Sequence, residues 1–165
     1  VERELGKGTR FVVRLPVGHD QPGKRSAPPA ARSVSTPASA RGRVLVVDDE
    51  EQIRAVLVRL LGRDHEVVTA ASGREAQALL ERGLVFDVIL CDLMMPELSG
   101  VELHAWLVVR DPSLAARLVF VSGGALTAGA SQYLRTLDNQ QIGKPFESGA
   151  LSRIVGELVG KARAG

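Results

Sequence analysis

Three short runs, Val44 to Val47, Val88 to Cys91 and Leu118 to Val121, are apolar at every position. A strand with one wet face alternates apolar and polar residues, so uniform runs predict parallel strands covered on both sides. Helical patterns separate them. Ile53, Val56, Leu57, Leu60 and Leu61 follow i, i+3, i+4, i+7, i+8 spacing and form one apolar helix face. Leu151, Ile154, Val155, Leu158 and Val159 repeat that spacing near the end of the chain. A short strand is expected around Glu66 to Thr69. Ser72 with Glu75, and Ser99 with Glu102, have the spacing of capping boxes and mark two more helix starts. Leu79, Leu80, Leu103, Trp106 and Leu107 supply the buried faces of those helices. A weaker helix near Thr127 to Leu137 and a short strand near Gln141 to Gly143 complete the alternation.

Five β-then-α units in about 120 residues predict an α/β fold, a doubly wound five-stranded parallel sheet of flavodoxin-like type, because right-handed crossovers place helices on both faces. In such a sheet ligands bind beyond the carboxyl ends of the strands, where the strand order reverses. Strand one ends in Asp48-Asp49, strand three in Asp92, strand four in Ser122 and strand five in Lys144-Pro145. With the strand order 2-1-3-4-5 the three aspartates converge. Carboxylates packed together repel one another, and a hard divalent cation with oxygen ligands relieves that repulsion. Mg2+ suits the site because it keeps several waters and accepts one or two carboxylates, leaving room for phosphate oxygens. Ser122 can donate a hydrogen bond and Lys144 brings a mobile charge, the groups needed to hold a transferring phosphoryl group. Asp92 is the candidate nucleophile, since a carboxylate can attack phosphorus to give an acyl phosphate.

These residues resemble the receiver domains of two-component response regulators over roughly residues 42 to 162. The resemblance rests on Asp48-Asp49, on the segment Asp92-Leu93-Met94-Met95-Pro96-Glu97-Leu98-Ser99-Gly100, on Ser122-Gly123 and on Lys144-Pro145-Phe146. It implies that Asp49, Asp92 and the carbonyl of Met94 bind Mg2+, with Asp48 close by and acting through water. It also implies a cis peptide before Pro145 that aims Lys144 into the site. The implied partner is a phosphohistidine donor, either a histidine kinase dimerisation domain or a histidine phosphotransfer protein. Receivers commonly carry an aromatic residue three positions before the active-site lysine, whose rotation couples phosphorylation to an output face. Here Gln141 stands there, so phosphoryl acceptance is better supported than the usual switching.

The remaining residues divide the chain further. Residues 18–41 contain four Pro, five Ala and four Ser among 24 positions, with Val34 the only larger aliphatic, and read as a linker. Its His19 reads as a solvated polar residue. Residues 1–17 carry Gly6-Lys7-Gly8-Thr9 and an alternating run from Arg10 to Pro16. That segment resembles the extreme C-terminal end of a histidine-kinase ATP-binding domain. Together the three segments predict the C-terminal part of a hybrid sensor kinase: remnant, linker, receiver.

The pI near 9 comes from the appendages. Residues 1–17 carry a net +2 and residues 18–41 a net +3; subtracting both from the total of +2 leaves −3 on residues 42–165. A nucleic-acid surface on the folded part is therefore excluded from the expectation. No apolar run approaches the roughly 20 residues of a membrane span, and the first residues lack the layout of a signal peptide, so no membrane contact and a cytoplasmic location are expected. The single cysteine, Cys91, reads as a small core residue in a reducing compartment. His65 and His104 read as surface or partly buried residues, Trp106 as core, and the side chains of Met94 and Met95 as packing around their loop. Two rival functions are weighed. A phosphatase of the haloacid dehalogenase kind needs its nucleophile at the end of strand one and a second Asp two residues on, where Glu50 stands here. A receiver fold used only for docking would not bind a phosphate mimic. A stand-alone response regulator is the alternative to the hybrid kinase.

Overall fold

The structure, a computed structural model, describes residues 41–124 and 127–164 and the short segments Glu2–Arg3 and Thr9–Arg10. The chain separates into two units, Val1–Val34 and Ser35–Gly165. In the first, Glu2–Arg3 pairs antiparallel with Thr9–Arg10. The Gly6-Lys7-Gly8 turn, the strand-like run beyond Arg10 and nearly all of the expected linker lie outside the described residues.

The second unit alternates strands and helices, labelled here within its sheet. They are β1 (Arg43–Val47), α1 (Glu51–Leu61), β2 (Glu66–Ala70), α2 (Gly73–Glu81), β3 (Val88–Asp92), α3 (Gly100–Arg110), α4 (Pro112–Ala115), β4 (Leu118–Ser122), α5 (Ala128–Leu134), β5 (Gln141–Gly143) and α6 (Ser148–Ala164). The five strands are parallel in the order 2-1-3-4-5, as expected.

Because successive side chains along a strand point to opposite faces, each apolar run feeds two cores. Leu45, Val47, Ile89, Cys91, Leu118 and Phe120 pack on one face with Leu103 and Leu107 of α3. Val44, Val46, Val88, Leu90, Val119 and Val121 pack on the other with Leu57 and Leu61 of α1 and Leu151 and Val155 of α6. Burying each such side chain contributes on the order of 1.5–3 kcal/mol, so both faces of the central strands are committed.

The structure departs from the expectations in several places. Val56 is 46% exposed; it lies on the flank of the α1 stripe, while Leu57 and Leu61 take the centre. The weak helix ends at Leu134, with Arg135 as its cap and the Thr136 hydroxyl donating to the Tyr133 carbonyl (2.7 Å). The one-turn helix α4 was not predicted. It forms because the Asp111 carboxylate accepts the Leu114 N–H (2.9 Å) and Pro112 supplies a preset φ at the first helical position. His65 and His104 are buried outright, at 4% and 2% exposure. Trp106 is half-buried at the rim of the core, with the Arg110 guanidinium 5.8 Å from its ring centroid.

Both capping boxes act as N-terminal stops, though not identically. At Ser99 both reciprocal bonds form. At Ser72 the hydroxyl accepts the Glu75 N–H (3.2 Å), but Glu75 reaches one residue further back, to the Ala71 N–H (2.7 Å).

Candidate functional site

The carboxyl ends of β1, β3, β4 and β5 form one rim. β1 hands over directly to Asp48, which is fully buried, and Asp49, which is exposed. The turn that follows is fixed by its own groups. The Asp48 N–H donates to the Ala70 carbonyl (3.2 Å), and Asp48 Oδ1 accepts the Glu50 N–H (2.9 Å). Glu50 then caps α1 through its backbone alone.

Asp92 is the last residue of β3, at 6% exposure, and its Oδ2 accepts the Met94 N–H (3.1 Å). The loop after it is folded back tightly. The Gly100 N–H donates to the Leu93 carbonyl (3.2 Å), and a Cβ on Gly100 would overlap the Asp92 carbonyl, so only glycine lets α3 start this close to the acceptor. Glu97 in the same loop has a φ of 65°, in the left-handed region. The Met94 side chain is exposed, whereas Met95 packs into the core, which divides two residues the sequence treats alike.

Lys144 stands at the centre. Its Nζ lies 2.8 Å from Asp48 Oδ2, 3.1 Å from Asp92 Oδ1 and 3.6 Å from Glu50 Oε1. The Lys144 backbone N–H donates to the Ser122 carbonyl (2.6 Å), which ties the lysine to the end of β4. Ser122 itself is half-buried at the last position of β4, opposite Gly143. Gly123 makes room for the lysine stem, since a Cβ there would sit 3.0 Å from Lys144 Cδ. The Lys144–Pro145 peptide is cis, as the family resemblance implies.

The electrostatics follow from that geometry. Burial pushes the Asp92 carboxyl above its ordinary value; the Lys144 ammonium pulls it back, Asp48 pushes it further up, and the Met94 N–H pulls it down. Burial opposes the charge on Lys144, but bonds to Asp48 and Asp92 outweigh it and the ammonium is held above its usual range. Cys91, next to the acceptor, is buried, and its thiol donates to the Asp92 carbonyl (3.3 Å). Desolvation, then the charges of Asp92 and Asp48, push that thiol well above its ordinary value.

All six expected site residues, Asp48, Asp49, Asp92, Met94, Ser122 and Lys144, are thus carried on this rim. Among the described residues no three His, Cys, Asp or Glu side chains form a metal cluster. Asp48 is held by Lys144 and the Glu50 N–H, and Asp92 by Lys144 and the Met94 N–H, while Asp49 is exposed; Asp49, Asp92 and the Met94 carbonyl are the groups that the family resemblance implies for Mg2+. Glu50 and Arg54 also belong to the rim, although neither stands out in the sequence as a site residue. The Arg54 Nη1 donates to the carbonyls of Asp48 (2.7 Å) and Asp49 (3.1 Å), and the only signal was a basic residue one turn into the helix after an acidic pair. Gln141, at the position of the usual aromatic, is exposed on β5 opposite Phe120.

A five-stranded flavodoxin-like sheet with an acidic pair, a third aspartate and a lysine on its carboxyl rim defines an α/β signalling domain. Residues 44–156 match the response regulator receiver domain, and the chain belongs to that family of two-component signalling. Among curated relatives, the sensor kinase CckA of Brucella abortus is 34% identical over 166 residues, covering 97% of this chain and 17% of CckA. The response regulator protein PilR of Pseudomonas aeruginosa is 32% identical over 123 residues, covering 70% of this chain and 26% of PilR. This chain therefore spans only a minor part of either relative. Among solved structures, a receiver domain protein from Clostridium thermocellum superposes with a TM-score of 0.64 at 26% identity, covering 74% of this chain and 97% of that one. A CheY-like receiver from Methanospirillum hungatei gives 0.67 at 25% identity, covering 76% and 98%.

Proposed function

We propose that this chain is the phosphoacceptor receiver of a hybrid sensor histidine kinase, taking a phosphoryl group from a phosphohistidine onto Asp92 with Mg2+. One observation carries the reading: Lys144 Nζ lies between Asp48 Oδ2 and Asp92 Oδ1, at 2.8 and 3.1 Å, on the carboxyl rim. The lysine charge is already at the carboxylate that would receive the group.

In the transfer, an Asp92 carboxylate oxygen forms a bond to phosphorus as the P–N bond to the donor imidazole breaks, and the bonding pair returns to that nitrogen. Lys144 exchanges its contact with Asp92 for a phosphoryl oxygen while keeping Asp48, so its charge stays paired throughout. Ser122, at the end of the neighbouring strand, donates its hydroxyl to a second phosphoryl oxygen. The Met94 N–H, already on Asp92 Oδ2, orients the carboxylate so that Oδ1 is the attacking atom. Mg2+, when bound by Asp49, Asp92 and the Met94 carbonyl, supplies neutralising charge for the phosphoryl oxygens.

The hybrid-kinase context is supported by the alignment with CckA, which extends over 97% of this chain and so reaches beyond the receiver into the first 41 residues. On this reading residues 1–17 are the end of a kinase ATP-binding domain, 18–41 a linker and 42–162 the receiver. The donor is a histidine kinase dimerisation domain or a histidine phosphotransfer protein, and the compartment is the cytoplasm. Among the described residues no helix is long and apolar enough to cross a membrane.

Intact-mass spectrometry after incubation with acetyl phosphate and Mg2+ tests the reading. One phosphoryl adduct is expected, lost in Asp92→Asn because the amide cannot act as nucleophile. An undiminished adduct on another residue of that variant would overturn the assignment.

A further inference from the structure

The carboxylate of Asp49 is the exposed member of the acidic pair, and something must aim it. Asp48 is held by Lys144 and by the Glu50 N–H. What orients Asp49 is the plane of the peptides on either side of it. The Asp48 and Asp49 carbonyls both accept hydrogen bonds from Arg54 Nη1, at 2.7 and 3.1 Å. Arg54 is anchored in turn, because its backbone N–H donates to the Glu50 carbonyl (3.1 Å) in the first turn of α1 and its side chain is half-buried.

We propose that Arg54 is a positioning residue for the divalent-cation site: its guanidinium clamps the two carbonyls of the acidic turn and thereby aims the Asp49 carboxylate at the metal. The inference rests on the phosphoacceptor reading above. Two opposite effects are possible on removing Arg54. Losing a positive charge beside an acidic crevice strengthens cation binding, whereas losing the clamp frees the turn and weakens it. Geometry decides between them. Arg54 bonds to the backbone carbonyls of the acidic turn rather than to a described carboxylate, so its removal releases the turn, and the net effect expected is weaker binding. Groups that orient metal ligands typically change affinity by roughly 10–100-fold. Both bonds come from the single atom Nη1, and lysine carries its charge on a flexible stem that ends about one bond short of that atom, so it does not hold both carbonyls in the same geometry.

The test is calorimetric titration of the full chain with Mg2+ alone, with thermal unfolding of the metal-free protein alongside. Arg54→Ala and Arg54→Lys are expected to weaken Mg2+ binding by roughly tenfold or more. The rate of Asp92 labelling by acetyl phosphate should then return towards wild type at saturating Mg2+, since only metal affinity is affected. In an Asp49→Asn background Arg54→Ala should add little, because the two act as one unit. If the wild type binds Mg2+ saturably and Arg54→Ala binds within twofold of it, the role is overturned while the phosphoacceptor reading stands. Full additivity with Asp49→Asn overturns it equally. If Arg54→Ala unfolds, Arg54→Lys decides on the same criterion. No saturable Mg2+ binding by the folded wild type, together with no Asp92 adduct, overturns the phosphoacceptor reading and this role with it.

Discussion

The two rims of the sheet are both polar, yet their charges are arranged in opposite ways. At the amino rim the polar groups are paired off. Asp87 Oδ2 accepts the Arg43 N–H (2.7 Å) and lies 3.3 Å from Arg163 of α6, the Arg43 side chain meets Glu66 (3.0 Å), and His65 Nδ1 accepts the Gly42 N–H (3.3 Å). At the carboxyl rim one ammonium serves Asp48, Asp92 and Glu50, while Asp49 faces solvent. Acidic groups outnumber the cations that meet them there, and two of the carboxylates are buried. A rim whose polar groups satisfy each other holds strands in register; a rim with more carboxylates than cations is ready to bind one.

That contrast can be broken from either side. The largest effect is expected for Lys144→Ala, which removes the charge on the phosphoryl oxygens and should slow labelling of Asp92 by roughly 100–1,000-fold; acetyl phosphate kinetics followed by intact mass measure it. A loss below about threefold would mean that the carboxyl rim does not depend on its lysine. Asp87→Ala should do the reverse, costing about 1–2 kcal/mol of stability in urea unfolding by leaving the part-buried Arg43 N–H without its acceptor, with labelling unchanged.

A third prediction concerns pH. Burial lowers the pKa of His65 below 6.5, against the charges of Asp64 and Asp87, with Arg163 adding to the decrease. Burial likewise lowers His104, against contacts with Asn139 and the Ala115 carbonyl. The unfolded chain therefore takes up protons first, so stability is full above about pH 6.5 and is lost as pH falls towards the folded-state values. The raised Asp92 carboxyl works in the opposite sense, and an Asp92→Asn background removes it. In that background the melting temperature should drop by a few degrees between pH 7.5 and 5.5, and His65→Gln with His104→Gln should flatten the slope. The smallest effect is spectroscopic. With beryllofluoride and Mg2+, amide shifts should be large at Ser122 to Gly124 and around Asp92 but small at Gln141 to Gly143, where no ring is present to move. Equal shifts on β5 would show switching without the aromatic.

The fold was legible because its strongest signals are local and redundant. The apolar runs at Val44, Val88 and Leu118 admit little besides strands buried on both faces, and the site followed because strand ends in such a sheet share one rim. What stayed hidden depends on neighbours that no spacing reveals. The burial of His104 depends on Tyr133 of α5, whose hydroxyl lies 2.9 Å from His104 Nδ1, and on Phe120 of β4, whose ring centroid is 5.4 Å away. Val56 fits the helical stripe as well as Leu57 does, and packing against β1, β2 and α6 decides which is covered. The α4 turn was readable from Asp111-Pro112 as a cap followed by a first-turn proline, and it was missed because four residues carry no periodicity. Arg54 is marked only by its place one turn into the helix after the acidic pair, and a basic residue on a polar helix face is what any soluble helix displays.

Cys91 gives this domain an internal clock. It is the chain's only thiol, lies on the central strand one residue before the acceptor, is fully buried and has its pKa pushed up. Alkylation needs a thiolate in contact with reagent, so the native state is inert and modification proceeds only through openings that expose β3. For a domain of ordinary stability those openings occupy on the order of one part in a thousand or less, and alkylation slows by the same factor. The rate at which an alkylating reagent consumes Cys91 thus reports the opening free energy of the strand that carries Asp92, without any engineered label.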